Sequence, residues 1–231
     1  MKKIDRRINY KIVLDTETCP LDKDFEGVDP YNMWAYDIGW AVCDKRGKIY
    51  EARSFVNADI FLNEKELMQS AYYSDKIPKY WEEIKAGKRQ LTSFYNIRQQ
   101  LLTDIKNYNI TEVYAYNMRF DYGTLNNTIR WLNKSKFRYY FPKNVVIKDI
   151  MKMAQDVIAK TPTYKRFCEE NGFMTSHKTP RPQLKAETIY RYLTQDVDFK
   201  EEHTGLEDVK IEVAIMAYCY KKHKKMRQAL F

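Results

Sequence analysis

Val13-Leu14-Asp15-Thr16-Glu17-Thr18 is the stretch on which the reading of this chain turns. Residues 10–14 are apolar and β-rich, as expected of a short buried strand, and two carboxylates follow at its end, two residues apart. On an extended segment residues i and i+2 point to one face, so Asp15 and Glu17 can converge on one hard cation. Taken alone, the triplet is common, and a solvated acidic loop is the favoured reading of it. Its position directly after an apolar strand, where ionised side chains are costly, sends attention to the rest of the chain.

A second apolar strand, expected over 111–116, runs into Asn117-Met118-Arg119-Phe120-Asp121. If it lies beside the first strand, Asp121 faces Asp15 and Glu17 across one crevice. The alternative is an ordinary aspartate at a helix start, favoured there by the helix dipole. Further on, Glu202-His203-Thr204-Gly205-Leu206-Glu207-Asp208 opens a helix expected over 206–222 that carries Val209, Val213, Met216 and Tyr220. That places a general base, His203, and a metal ligand, Asp208, at one helix end, against the competing reading of His203 as a solvent-exposed loop histidine.

Four carboxylates converging without a cation repel and raise one another's pKa, so such a cluster calls for divalent ions. Oxygen ligands suit Mg²⁺ or Mn²⁺ better than Zn²⁺. Two such ions roughly 3.5 to 4 Å apart clamp the attacking and leaving oxygens of an in-line phosphoryl displacement. The chemistry expected is that of phosphodiesters.

The elements between these blocks give the fold class. Strands are expected over 34–43 and 48–55, joined by the turn Asp44-Lys45-Arg46-Gly47, then helices over 62–73, 79–86 and 93–108, the last with Phe94, Ile97, Leu101, Leu102 and Ile105 on one face. After the 111–116 strand come a helix over 125–132, a fifth strand at 145–147, and helices over 149–158, 164–170, 186–192 and 206–222. This order makes an α/β protein with a mixed five-stranded sheet flanked by helices. Residues 19–30 read as a polar, Pro-containing loop. With no repeat and no linker, residues 1–231 are expected to form one domain, with a loop-rich insertion at 160–185 around Pro162, Pro180 and Pro182.

The three blocks, in this order, resemble the motifs of the DEDDh superfamily, the DnaQ-like 3′-to-5′ exonucleases with a ribonuclease-H-like fold. Asp15 and Glu17 match the DxE of the first motif, and Asn117 through Asp121 the NxxFD form of the second. His203 and Asp208 match the third, at the five-residue offset of the His-bearing branch. The resemblance implies that Asp15, Glu17, Asp121 and Asp208 bind two Mg²⁺ or Mn²⁺, that His203 takes a proton from the attacking water, and that nucleoside 5′-monophosphates leave from a DNA or RNA 3′ end. It further implies that Asn117 supports the site and that Thr16 and Thr18 contact the terminal nucleotide. Two departures stand out. Cys19-Pro20 replaces the Gly often found after DxE, which alters the loop shaping the 3′-end pocket. Gly205 stands where Ala is common, a small-for-small exchange expected to matter little.

Composition agrees with such a partner. Forty Lys and Arg against thirty-one Asp and Glu give a net charge of +9, which favours a polyanion. Residues 134–143, Lys-Ser-Lys-Phe-Arg-Tyr-Tyr-Phe-Pro-Lys, interleave cations and aromatics either for single-stranded nucleic acid or for packing near the fifth strand. The basic run 221–227 reads as a solvated helix end, Asp149 as a helix N-cap, and His177 and His223 have no motif support. Four Cys without a CxxC pair suggest neither a zinc ribbon nor a disulfide framework. With no apolar leader and no membrane-length run, a cytoplasmic, non-membrane protein is expected. The expected role is that of a stand-alone exonuclease on single-stranded 3′ ends, with a separate polymerase as the candidate protein partner in a proofreading variant. From a different class comes a catalytically silent nucleic-acid-binding module, against which the intact set of four carboxylates and a histidine argues. Richness in Lys, Tyr, Ile and Asn hints at an AT-rich bacterial or phage genome.

Overall fold

Ile12, Val13 and Leu14 are each at most 1% exposed, so their strand is covered on both faces and sits at the middle of a sheet. The computed structural model describes residues 4–20, 32–71, 73–135 and 138–231. Along the chain come β1 (Lys11–Pro20), β2 (Met33–Cys43), β3 (Ile49–Asn57), α1 (Ala58–Phe61), α2 (Lys65–Gln69) and a 3-10 turn (Ser74–Lys76). Then follow α3 (Ile77–Lys85), β4 (Gln90–Thr92), α4 (Phe94–Asn107), β5 (Glu112–Ala115), α5 (Met118–Leu132) and β6 (Val146–Asp149). The chain closes with α6 (Ile150–Ala154), continued by a π-helical turn (Gln155–Ala159), and with α7 (Pro162–Glu170), α8 (Ala186–Thr194) and α9 (Gly205–Lys221).

The strands order as β4-β3-β2-β1-β5-β6. β1, β2 and β3 pair antiparallel in succession, while β5 runs parallel to both β1 and β6. This is the expected mixed α/β architecture with one strand more. β4 is three residues long and parallel to β3 at the sheet edge, too short to show an alternating pattern in sequence.

Two boundaries differ from the sequence expectation, and both shape the site. Asp15 and Glu17 lie within β1 rather than past its end, because β2 keeps pairing with it through Asp15↔Gly39 and Glu17↔Asp37. Cys19 and Pro20 belong to the same strand, and the rest of the expected 19–30 loop lies outside the described residues. On the other side, β1 meets β5 only at Ile12↔Val113 and Val13↔Tyr114, so it runs on past the end of its parallel neighbour. The helix expected from 125 begins at Met118, because Asn117 turns the chain in the left-handed region (φ 61°) and its carbonyl accepts the Phe120 N–H at 2.8 Å. Asp121 is therefore carried in the first turn of a helix.

Side chains cover both faces of the sheet. On one, Ile12 and Leu14 pack with Ile97 and Leu101 of α4 and Leu125 of α5. On the other, Val13 packs with Met153 of α6 and Val209 and Met216 of α9. A third cluster joins Trp34 and Tyr36 of β2 to Phe61 and Tyr80 of the α1–α3 segment. Burial of each such large apolar side chain contributes about 1.5–3 kcal/mol. Residues 160–185 open with α7 and continue as an excursion closed by a Met174↔Pro182 bridge, pinned where Tyr164 donates to the Gln183 carbonyl at 2.7 Å. All four cysteines are free and buried, and among the described residues no helix is long and apolar enough to cross a membrane.

Candidate active site

The site gathers where β1 outruns β5 and α9 crosses the sheet. Asp15 and Glu17, on one face of β1, meet Asp208 from α9, and one carboxylate oxygen of each lies within 4.8 Å of the other two. The helix comes this close because the two backbones meet without side chains between them. A Cβ on Gly205 would lie 2.9 Å from the Gly39 nitrogen and 3.2 Å from the Asp15 carbonyl oxygen. Gly205, where Ala is common in the motif, is the residue this approach accommodates: in this chain something must shift to admit a Cβ.

Asp37 fastens that helix end. Wholly buried on β2, it accepts from Arg89 Nη1 at 2.7 Å, Tyr80 Oη at 2.7 Å and the Gly205 N–H at 3.0 Å. Beyond its pairing with Glu17 the β1–β2 register slips, Thr18 facing Ala35, so Tyr36 is an extra residue in a bulge beside the site. Thr18 is half-buried on the same strand.

Asp121 reaches the crevice from α5 and is held there by Thr16, whose hydroxyl donates to its Oδ1 at 2.8 Å. Both residues are buried, and that hydroxyl is spent inside the protein. Asp121 is not one of the three carboxylates that fall within a single 4.8 Å group. Asn117 is exposed and makes no side-chain cap; burial raises the pKa of Asp149, at the end of β6, and the Asn117 backbone is near enough to be among the groups opposing that rise. Asp149 is an N-cap, as expected, accepting the Met151 N–H at 2.8 Å. It is also buried close enough to Asp121 to raise that group's pKa.

His203 sits in the lead-in to α9 with φ 49°, a conformation that costs a non-glycine residue roughly 1–3 kcal/mol. Contacts from the 73–79 segment hold it. The Tyr73 ring stacks on the imidazole, centroids 4.7 Å apart and planes 13° apart. Lys76 Nζ donates to the carbonyls of Glu202 and His203, the latter at 3.3 Å, and Lys79 pairs with the Glu202 carboxylate at 2.5 Å. The imidazole Nδ1 is 3.8 Å from Glu201 Oε2. Burial, with the Lys76 charge beside it, holds the imidazole below the usual histidine range, so near pH 7 it is neutral and able to accept a proton.

The carboxylates are displaced the other way. Burial and then the neighbouring charges of Glu212 and Asp121 push Asp15 well up, while burial, Asp208 and Asp37 do the same to Glu17. Burial lifts Asp121 to about 7 against the opposing Thr16 hydrogen bond. Burial also lifts Asp208 to about 7, opposed by Lys76 and by the backbone N–H groups of His203 and Thr204. A group of buried acids that resist ionisation together, with Asp208 Oδ1 and Glu212 Oε2 lacking hydrogen-bond partners among the described residues, is a donor set suited to hard divalent cations. The divalent ions implied by the motif resemblance fit it.

Sequence reading missed three residues here. Glu212, 3% exposed and one turn beyond Asp208, is the first of the charges acting on Asp15. Its signal was available: an acid at i+4 from Asp208 on a helix face otherwise lined by Val209, Val213 and Met216. Lys76 is a cation acting on both Glu17 and Asp208. It and Asp37 belong to no motif, and only the fold brings them in.

Solved structures with a similar fold include exonucleases. The zinc-bound form of Escherichia coli exonuclease I in complex with single-stranded DNA superposes with a TM-score of 0.56 at 12% identity, over 94% of this chain and 41% of that one. A moderately thermophilic exonuclease I from Methylocaldum szegediense gives 0.54 at 14% identity, over 93% and 41%. This chain therefore spans about two fifths of their length (41%). No protein-family model and no curated protein matches it. At such identity the likeness speaks to fold: the six-stranded mixed sheet with its flanking helices is the ribonuclease-H-like fold of these exonucleases.

Proposed function

We propose that this chain is a metal-dependent 3′-to-5′ exonuclease of the DEDDh type, a single domain that hydrolyses single-stranded DNA or RNA from the 3′ end. The observation that carries the reading is the convergence of Asp15, Glu17 and Asp208, from elements nearly 200 residues apart in sequence, within 4.8 Å, where burial and mutual repulsion oppose their ionising together without a cation. Asp15, Glu17 and Asp208 would hold one divalent ion, and Asp121 with Asp15 a second. Bound there, Mg²⁺ or Mn²⁺ would supply Lewis-acid stabilisation of the charge that develops on the phosphoryl oxygens.

The remaining tasks fall to the protein. Thr16 fixes Asp121 through its hydroxyl, so the motif resemblance that assigns Thr16 to the nucleotide competes with a bond already made inside the site. Thr18, half-buried on β1, and Asn117, which opens α5, remain the candidates for contact with the terminal nucleotide. His203, neutral and half-buried, accepts the proton of the attacking water, and the Tyr73 stack limits where its imidazole can go.

The test is to incubate the protein with 5′-labelled single-stranded DNA and RNA, in Mg²⁺ or EDTA, beside Asp15→Ala. A ladder shrinking from the 3′ end in Mg²⁺ alone, absent in the variant, supports the assignment and gives the preferred sugar. If both strands bind and neither shortens, the catalytically silent module is the better description.

A further inference from the structure

Cations and aromatic rings lead away from the candidate site along α5. Between Tyr122 and Asn144 the sequence has five Lys or Arg and no Asp or Glu. Asp121, just before this stretch, is buried and turned onto Thr16, so it does not offset the positive face. Arg119, Tyr122, Asn126 and Arg130 recur at helical spacing and line a cavity of about 370 Å³ on the outer side of α5. A second cavity, about 570 Å³, shares Tyr122 and adds Tyr139 and Lys143. A third, about 390 Å³, shares Tyr139 and adds Tyr95, Arg98 and Arg138. Among the described residues lining all three, Asp59 is the sole acid, and its Oδ2 already accepts the Phe94 N–H at 2.9 Å.

The structure divides the 134–143 segment that sequence left open between packing and binding. Tyr140 and Phe141 are buried in the core, whereas Arg138 and Tyr139 face outward. Lys136 and Phe137 lie outside the described residues. Tyr139 is 52% exposed with the Arg130 guanidinium 4.9 Å from its ring centre, and Tyr95 is 68% exposed. Rings this open are not core. Aromatic faces alternating with guanidinium groups suit stacked bases and their phosphates, and base stacking on a ring requires a strand that is not paired. The band starts at Arg119, in the first turn of α5, the same turn that carries Asp121 into the site from the helix's buried side.

We propose that the outer face of α5 and the exposed part of the segment crossing it hold the single-stranded nucleic acid upstream of the 3′-terminal nucleotide. Arg119, Arg130 and Lys143 face its phosphates, and Tyr139 and Tyr95 take its bases. The direction of the strand rests on the exonuclease reading of the site, while the surface itself does not.

The experiment measures fluorescence anisotropy in EDTA with a labelled oligothymidylate of about fifteen nucleotides, a trinucleotide and a duplex, for the full chain and for Tyr139→Ala, Arg130→Ala and Arg130→Lys. Equal melting temperatures exclude misfolding. Loss of one stacked base raises Kd for the long single strand about tenfold in Tyr139→Ala, with the trinucleotide and duplex unchanged. Arg130→Ala lowers the salt slope of log K by about 0.7, and Arg130→Lys restores it. An unchanged Kd for the long strand, or an equal loss for strand and duplex, overturns the proposal. If these binding losses appear while Mg²⁺ yields no shortening, the surface stands and the exonuclease reading falls. Shortening without any binding loss gives the reverse.

Discussion

Gly39 on β2 and Gly205 at the start of α9 touch backbone to backbone. A Cβ on Gly39 would stand 2.4 Å from the Leu206 nitrogen and 2.5 Å from the Gly205 carbonyl carbon, with no flexible side chain able to yield. Gly39→Ala should therefore lower unfolding free energy by about 3 kcal/mol or more in urea titrations, at the upper end of overpacking costs. Gly205→Ala, whose nearest contact is 2.9 Å, should cost about 1–2 kcal/mol after the helix propensity gained is counted. A Gly39→Ala protein as stable as the parent would show that α9 does not need this approach.

Arg89 neutralises an aspartate that has no access to water. Removing it as Arg89→Met leaves Asp37 buried without its cation and should cost about 3–5 kcal/mol, while Arg89→Met with Asp37→Asn should recover much of that loss. Chemical denaturation of both variants checks this. A single substitution costing under about 1 kcal/mol would mean that Tyr80 and Gly205 suffice as partners.

How far the sequence went follows from these contacts. The grouping of Asp15, Glu17 and Asp208 was legible because each sits at a fixed offset within a short local motif. The succession of strands along the chain, β4 apart, was legible from apolar runs such as Ile12-Val13-Leu14. What was not legible depends on tertiary approach: the Gly39–Gly205 contact, the Asp37–Arg89 pair and the placement of Lys76 and Tyr73 over His203 join segments far apart in the chain. β4 was missed for another reason, since a three-residue edge strand is too short to carry a periodic signal. The start of α5 was missed because Asn117 looked like loop, while its left-handed turn is what lets the helix begin one residue later.

The raised carboxylates fix a pH response. A group whose folded pKa lies above its unfolded value favours the native state at low pH, and that contribution is lost as pH rises from the ordinary carboxylate range through the folded value. With Asp121 and Asp208 lifted to about 7 by burial, the metal-free protein should lose melting temperature between about pH 4 and 7. Divalent ions compete with protons for the same oxygens, so Mg²⁺ should raise the melting temperature more at pH 8 than at pH 5.5. Thermal melts in EDTA and in Mg²⁺ across that range decide it. A metal-free protein that gains stability over this window would contradict the electrostatics.

Tyr73 and Lys76 should act through His203. Tyr73→Leu removes the stacked ring, and Tyr73→Phe keeps it. Tyr73→Leu is expected to lower kcat about tenfold with KM little changed, and Tyr73→Phe to restore most of the rate. With only three histidines in the chain, the His203 ring protons can be followed by NMR, and loss of the stack should move them downfield. An unchanged His203 resonance in Tyr73→Leu would rule out the contact in solution.

The most direct test of the carboxylate centre is to count Mn²⁺ bound per chain by electron paramagnetic resonance, in the parent protein and in Asp15→Asn and Asp208→Asn variants of equal fold. The account predicts two ions on the parent, with at least one lost or greatly weakened in each variant. No binding at millimolar Mn²⁺, or the same number and affinity in all three proteins, would contradict it.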